Sequence, residues 1–247
     1  ACAAGLAGPE DGGYLCPLVC LDLSGNCLGV GSGPSIAQLL RKCPKLRELK
    51  VHNCGLTDDG VAQLAPAMST HASLKLLDVS CNAAGATAAC ALADALGSNT
   101  CLTSLNLGDN RDMTANDVNV LAAAVSGNKG SALSHIDLTN ASLQGDHCAA
   151  MLTAMSNCSW RRVCLLGTGL GNEGCMCLLA CLRSGGFAVI EELSISGCGV
   201  EWTGGLEPLF EWLMTDEGPQ LRILECGANP ACQHDAVADK VLRLRVL

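Results

Sequence analysis

Apolar and polar residues alternate along this chain in short bursts. In LRELKVHNCGL, residues 46–56, the apolar positions are Leu46, Leu49, Val51 and Leu56, with Lys50 and His52 interleaved. The alternation over 49–52 predicts a short strand with one buried face. After Leu56 the period changes. Thr57 is a good helix N-cap, and Asp58 and Asp59 place negative charge in the first turn, where the helix dipole favours it. Gly60, Leu64 and Met68 then recur every four residues, which predicts one apolar helix stripe. Pro66 falls late in that helix and should end or bend it.

The burst returns throughout the chain. It starts at Leu18, Leu46, Leu74 and Leu102, each 28 residues after the last, and then at Leu133, Trp160, Ile190 and Leu221, with spacings of 27 to 31. The helical stripe returns with it, as Ala88, Leu92 and Leu96 in the third unit and Gly174, Leu178 and Leu182 in the sixth. One strand–helix unit is too small to bury its own apolar face, so the units must stack on one another.

Eight copies of L-x-x-L-x-L-x-x-(N/C)-x-L resemble the leucine-rich repeat family, from about Leu15 to the C-terminus. The 28-residue period and helical second half look like its ribonuclease-inhibitor subtype. The resemblance implies an α/β leucine-rich repeat solenoid, a horseshoe of about eight strand–helix repeats with a concave parallel sheet and convex helices. Residues 1–14 are then expected as a flexible tail and 15–247 as the repeat domain. Residues 126–132, SGNKGSA, are extra to the fourth repeat and predict a protruding turn. The seventh repeat carries Pro208 in its helix and a Trp202/Trp212 pair, and the tail ADKVLRLRVL, 238–247, either caps the last repeat or leads into more of them.

Cys54 raises a chemical question: metal ligand, half-cystine, reactive thiol or core residue. It stands where the strand turns toward the helix, in a column that reads Asn26, Cys54, Asn82, Asn110, Ala141, Thr168, Cys198, Asn229. The resemblance implies that Asn or Cys there is buried and bonds neighbouring backbone, so Cys54 and Cys198 are expected as small, weakly polar substitutes for Asn. The chain holds 18 cysteines, yet it is neither short nor visibly secreted, which argues against a disulfide scaffold. Cys90 and Cys148 fall near the helix stripe and Cys164 in a strand, all core-like slots. In CMCLLAC, Cys177 and Cys181 share a helix face and Cys175 lies off it, a poor tetrahedral set, and no CxxC pair occurs anywhere. No metal and no cofactor are expected. Reduced thiols point to the cytoplasm, with a cilium or an organelle matrix as the alternative.

The polar strand positions are the candidate chemistry. The mid-strand column is Asp22, Lys50, Asp78, Asn106, Asp137, Cys164, Ser194, Glu225, and the next outward is Ser24, His52, Ser80, Gly108, Thr139, Leu166, Ser196, Gly227. Asp78, Ser80 and His52 fall close together and invite a triad reading, but nothing supplies an oxyanion hole. No catalytic residue is expected, and there is no Walker A loop, no GxGxxG after a strand and no HExxH. What remains is binding. Four acids stand against one lysine in the mid-strand column, which favours a protein partner with a basic patch. Asp22, Lys50, His52, Asp78, Asn106, His135, Asp137, Arg162, Glu192 and Glu225 are the candidate contacts, with Arg162, Glu192, His135 and Leu166 the bulkier anchors.

Composition narrows the picture. A net charge of -9 argues against nucleic acid, and no apolar run is long enough to span a membrane. The N-terminal ACAAGLAGPEDGG carries no basic n-region and no h-region. With 49% hydrophobic but only 2% aromatic residues, the core must be built from many similar aliphatic layers. The expected function is a non-enzymatic protein–protein interaction module or the scaffold subunit of a large complex. The alternatives are a regulator of a small GTPase, for which Arg111 in the loop after Asn110 is the candidate arginine, and the sensor repeat domain of a larger receptor.

Overall fold

The computed structural model describes residues 16–144, 147–215 and 221–233. The expected tail, 1–14, and the terminal segment 238–247 lie outside the described residues. Within them, eight strands form one parallel sheet in strict chain order. They are β1 (Cys20–Asp22), β2 (Glu48–Lys50), β3 (Leu76–Asp78), β4 (Ser104–Asn106), β5 (His135–Asp137), β6 (Arg162–Cys164), β7 (Glu192–Ser194) and β8 (Ile223–Glu225). Each is three residues long because only the middle residue, such as Leu49 or Leu77, must face inward before the chain turns away.

Helices cover the other face: α1 (Gly33–Lys42), α2 (Thr57–Ala62), α3 (Ala65–Ser69), α4 (Ala86–Leu96), α5 (Ala115–Gly127), α6 (Cys148–Ser156), α7 (Gly171–Arg183) and α8 (Glu207–Leu213). Neighbouring helices pack on one another, and one continuous core runs from Ile36 to Ala231 between them and the sheet. This is the α/β leucine-rich repeat solenoid that the pattern implied. The stripe residues Leu64, Met68, Ala88, Leu92, Leu96, Leu178 and Leu182 are all buried in it.

Both prolines act one turn earlier than their own position. Pro66 sits in the first turn of α3, and the helix of that repeat is already broken at 63–64. Proline has no N–H for the carbonyl four residues back and clashes with it, so the break must precede it. Pro208 likewise opens α8, after a wide π-helical turn, Trp202–Leu206, in which Leu206 N–H reaches back to Glu201 O at 3.0 Å. There Trp202 packs on Phe210, ring centres 5.8 Å apart.

Other expectations need correcting. Thr57 makes no capping hydrogen bond and has φ of 66°. Asp58 serves the next helix instead: its carboxylate accepts Gly85 N at 2.8 Å, Ala88 N at 2.7 Å and Thr87 N at 3.0 Å at the start of α4. The extra residues 126–132 do not simply protrude. They extend α5 to Gly127, and Asn128 ties the following turn to Leu96 O and Asn99 O, both at 2.8 Å. Cys90 is exposed, because its place on α4 lies off the Ala88–Leu92–Leu96 stripe, and Cys164 is half-buried on the sheet's outer face, because the core side of β6 belongs to Val163.

Candidate functional site

The outer face of the sheet carries two ladders of side chains in register. Cys20, Glu48, Leu76, Ser104, His135, Arg162, Glu192 and Ile223 pair across the strands in one, and the mid-strand column from Asp22 to Glu225 forms the other. The candidate contacts therefore share one surface, with His52 just beyond β2.

Local bonds occupy much of the mid-strand column. Asp22, Asp78, Asn106 and Asp137 each accept, through one side-chain oxygen, the N–H two residues on, at 2.9–3.0 Å. These side chains thus also end their own strands, as Asx turns do. The hydroxyl and N–H of Ser24 hold Asp22 below the usual carboxylate range. Asp78 also accepts the Ser80 hydroxyl, and His52 Nδ1 lies 2.8 Å from that same Ser80 oxygen. A nucleophilic relay needs histidine between serine and acid. Here serine stands between the other two and is buried, so these three residues form a structural clasp.

Arg162 and Glu192 consume each other in a two-pronged ion pair, Nε to Oε2 at 2.6 Å and Nη2 to Oε1 at 2.7 Å. The hydrogen bond from Arg162 depresses the Glu192 carboxyl. Arg161 and Glu191 pair beside them, and Lys50 sits 4.0 Å from Glu48. His135 shares a 2.9 Å hydrogen bond with Ser134. Leu166 is partly exposed. Two shallow hollows follow the columns. One, of about 200 Å³, lies over Asp78, Asn106, His135 and Asp137; the other, of about 280 Å³, over Cys164, Ser194, Glu192 and Glu225.

The turn column lies beneath this surface. Cys54 is fully buried and donates its thiol to Leu23 O at 3.1 Å, while its N–H donates to Asn82 Oδ1 at 3.0 Å. Asn82 Oδ1 also takes Leu56 N–H, and the Asn82 amide donates to Val51 O, Val79 O and Ser80 O. Asn110 repeats the pattern toward Asn82 N and Ala84 N. Cys198 donates to Leu165 O at 2.8 Å, and Asn229 receives Val200 N. Asn26 differs: its side-chain amide donates to its own Leu23 O and it is exposed, because no described repeat stacks beyond it. The residue before each of these positions, from Gly25 to Ala228, has φ between 50° and 73°.

A second polar column escaped the sequence reading. His71, Asn99 and Asn128 sit where helix returns to strand. Each reaches a carbonyl one repeat back (Cys43 O, Met68 O and Leu96 O) and receives an N–H from its own following turn. Their 28- and 29-residue spacings were the available signal; the change from His to Asn hid it.

Six thiols among the described residues, Cys43, Cys54, Cys148, Cys158, Cys175 and Cys198, are buried. Burial pushes Cys43 and Cys175 up to about 12, and Cys148, Cys158 and Cys226 to about 11. No group of three metal-ligating side chains converges among the described residues, and no described helix is long and apolar enough to cross a membrane. Arg111 is exposed, with its carbonyl taken by the Ser142 hydroxyl.

Comparisons with known proteins agree with this architecture. Residues 14–36, 42–65 and 98–122 match the family model described as Leucine Rich repeat. Leucine-rich repeat-containing protein 73 of Rattus norvegicus is 34% identical over 161 residues, 62% of this chain and 50% of the relative. The protein of the same name from Homo sapiens matches equally, so the chain spans about half the length of the curated relatives it matches. Among solved structures, the tropomodulin C-terminal domain of Caenorhabditis elegans is similar with a TM-score of 0.51 at 16% identity, covering 61% of this chain and 91% of that one. That likeness is one of fold.

Proposed function

We propose that this leucine-rich repeat protein is a non-enzymatic interaction module that docks a protein partner on its concave face and serves as a subunit of a larger assembly. The observation that carries the reading is the pair of in-register side-chain columns on an open sheet. They give a broad, fixed surface of small and polar groups with an acidic excess, to which a basic partner patch is complementary. The 28-residue spacing of the first four repeats and a helical second half in each of the first seven support the ribonuclease-inhibitor-like subtype within the same reading. Buried, unpaired thiols suit a reducing compartment such as the cytoplasm, a cilium or an organelle matrix.

The test is native capture at low salt, with the partner identified and then titrated against a column variant, Asp22→Asn, Asp78→Asn, Asp137→Asn and Glu225→Gln together. The substitutions at 22, 78 and 137 keep an oxygen acceptor for the strand-ending bonds. Affinity at least tenfold lower, a weaker salt dependence and an unchanged circular dichroism spectrum are expected. Equal affinity of variant and wild type would overturn the reading. Faster GTP hydrolysis by a small GTPase with wild type, lost in Arg111→Ala, would select the GTPase-regulating alternative instead.

A further inference from the structure

The residue just before each strand stands in a column of its own, linked by backbone bonds. Arg47 N–H donates to Val19 O at 2.7 Å, Lys75 N–H to Arg47 O at 2.7 Å and Glu191 N–H to Arg161 O at 2.8 Å. Late in the chain this column is charge-matched, because Arg161 is ion-paired with Glu191 beside it. In the second and third repeats it is not. Arg47 and Lys75 are exposed neighbours of like charge, one strand spacing apart, about 4.8 Å. The positions that flank them, Val19 and Thr103, carry no charge. Arg41 and Lys42 at the end of α1, and Lys45 in the turn that follows, bring three more cations to the same edge. Arg41 and Lys42 suit the dipole at the end of α1, but Lys45, Arg47 and Lys75 have no helix end to serve. None of the five forms an ion pair or a side-chain hydrogen bond with a described residue. Between Asp22 and Asp58 the sequence holds one acid, Glu48, and its carboxylate already meets Lys50 at 4.0 Å and the Cys20 thiol.

We propose that this edge, from the end of α1 to Lys75, binds a short acidic segment of a protein partner. Its carboxylates would lie between Arg47 and Lys75 and along Lys45 and Arg41. The site is separate from the concave-face reading, since it takes a partner of the opposite charge at the entry to the strands. Like charges held side by side repel, so the pair costs stability that an opposite charge between them would return. A carboxylate there accepts charge-assisted hydrogen bonds from both, and the Arg47 fork can hold it at two points. Larger polyanions fit less well. A nucleic-acid strand asks for exposed aromatic platforms, and every described Trp and Phe is buried. An anionic bilayer is broad enough to meet the acids of the sheet as well, in a chain whose net charge is -9.

The probe is the peptide acetyl-Gly-Glu-Glu-Glu-Glu-Gly-amide, with its glutamine counterpart, titrated into the full chain at low salt and followed by backbone amide NMR. The glutamate peptide is expected to shift amides over 41–47 and 74–76, and the glutamine peptide should bind at least tenfold more weakly. Arg47→Gln with Lys75→Gln should weaken the glutamate peptide at least tenfold, and Arg183→Gln, at an exposed arginine of α7, not at all. The double variant should unfold at a urea concentration no lower than wild type, because it removes a repulsion; two cations kept only for folding would lower that midpoint. The concave column variant should bind the glutamate peptide no more weakly than wild type, so the two readings fail separately. Equal binding of the two peptides, shifts centred elsewhere, or full binding by the double variant would overturn the proposal. Phosphatidylserine vesicles that bind wild type but not the double variant, with the peptide inert, would give the edge to a lipid surface and overturn it as well.

Discussion

Asn82 shows what one side chain does in this fold. It is buried, its amide is spread over three carbonyls and its oxygen takes two N–H groups of the previous repeat. Asn82→Ala leaves all of these unanswered and is expected to lower unfolding stability by about 2–4 kcal/mol in urea titrations. Asn82→Cys should cost clearly less, because Cys54 and Cys198 fill the same slot with a weak thiol donor. Cys81, with φ of 55°, is the converse case: Cys81→Gly removes a left-handed strain and should stabilise by about 0.5–1 kcal/mol. Burial raises Cys54, Cys148, Cys158 and Cys175. Iodoacetamide at neutral pH should therefore label the exposed Cys20, Cys27, Cys90 and Cys232 first, as peptide mass mapping will read.

At the scale of elements, Asp58 links two repeats by carrying its charge to the first turn of α4. Burial alone would raise its carboxyl, but the N–H groups of Ala88, Gly85 and Thr87 outweigh that and hold it below its ordinary 3.8. A carboxyl depressed by folding stabilises fully above its unfolded value, and that contribution is lost as pH falls through the folded one. Asp58→Asn should therefore be less stable than wild type at neutral pH, with the gap closing on acidification below about pH 4 in thermal melts. The elements were largely legible in the sequence. The exact 28-residue period fixed which strand residues fall in register, and Pro66 marked a helix break. Asp58 was read toward its own helix because its nearest sequence neighbours are there, while its true partners lie 27 to 30 residues on. Arg162 and Glu192 were legible as column neighbours, but their mutual capture depends on side-chain direction, which spacing does not carry.

For the whole molecule, stacking in chain order makes every repeat depend on the two beside it. Tight packing between units leaves little room: a Cβ on Gly33 would lie 2.7 Å from Gly60 O. Gly33→Val is expected to loosen the first two repeats while leaving the distant ones protected in hydrogen exchange. Ala141 has a different consequence. It occupies the turn column with no polar atom, between Asn110 on one side and Thr168 on the other. The amide ladder that runs through Asn82 and Asn110 therefore stops at the fourth repeat and resumes as an amide only at Asn229, although the strands on both sides stay paired. A rod glued evenly along its length peels from an end, whereas a rod with a weak joint parts there. Pulled by its two ends in an optical trap, this one should yield in two steps, with the first rupture within the fifth to seventh repeats, where Ala141, Thr168 and Cys198 leave the turn column without an amide.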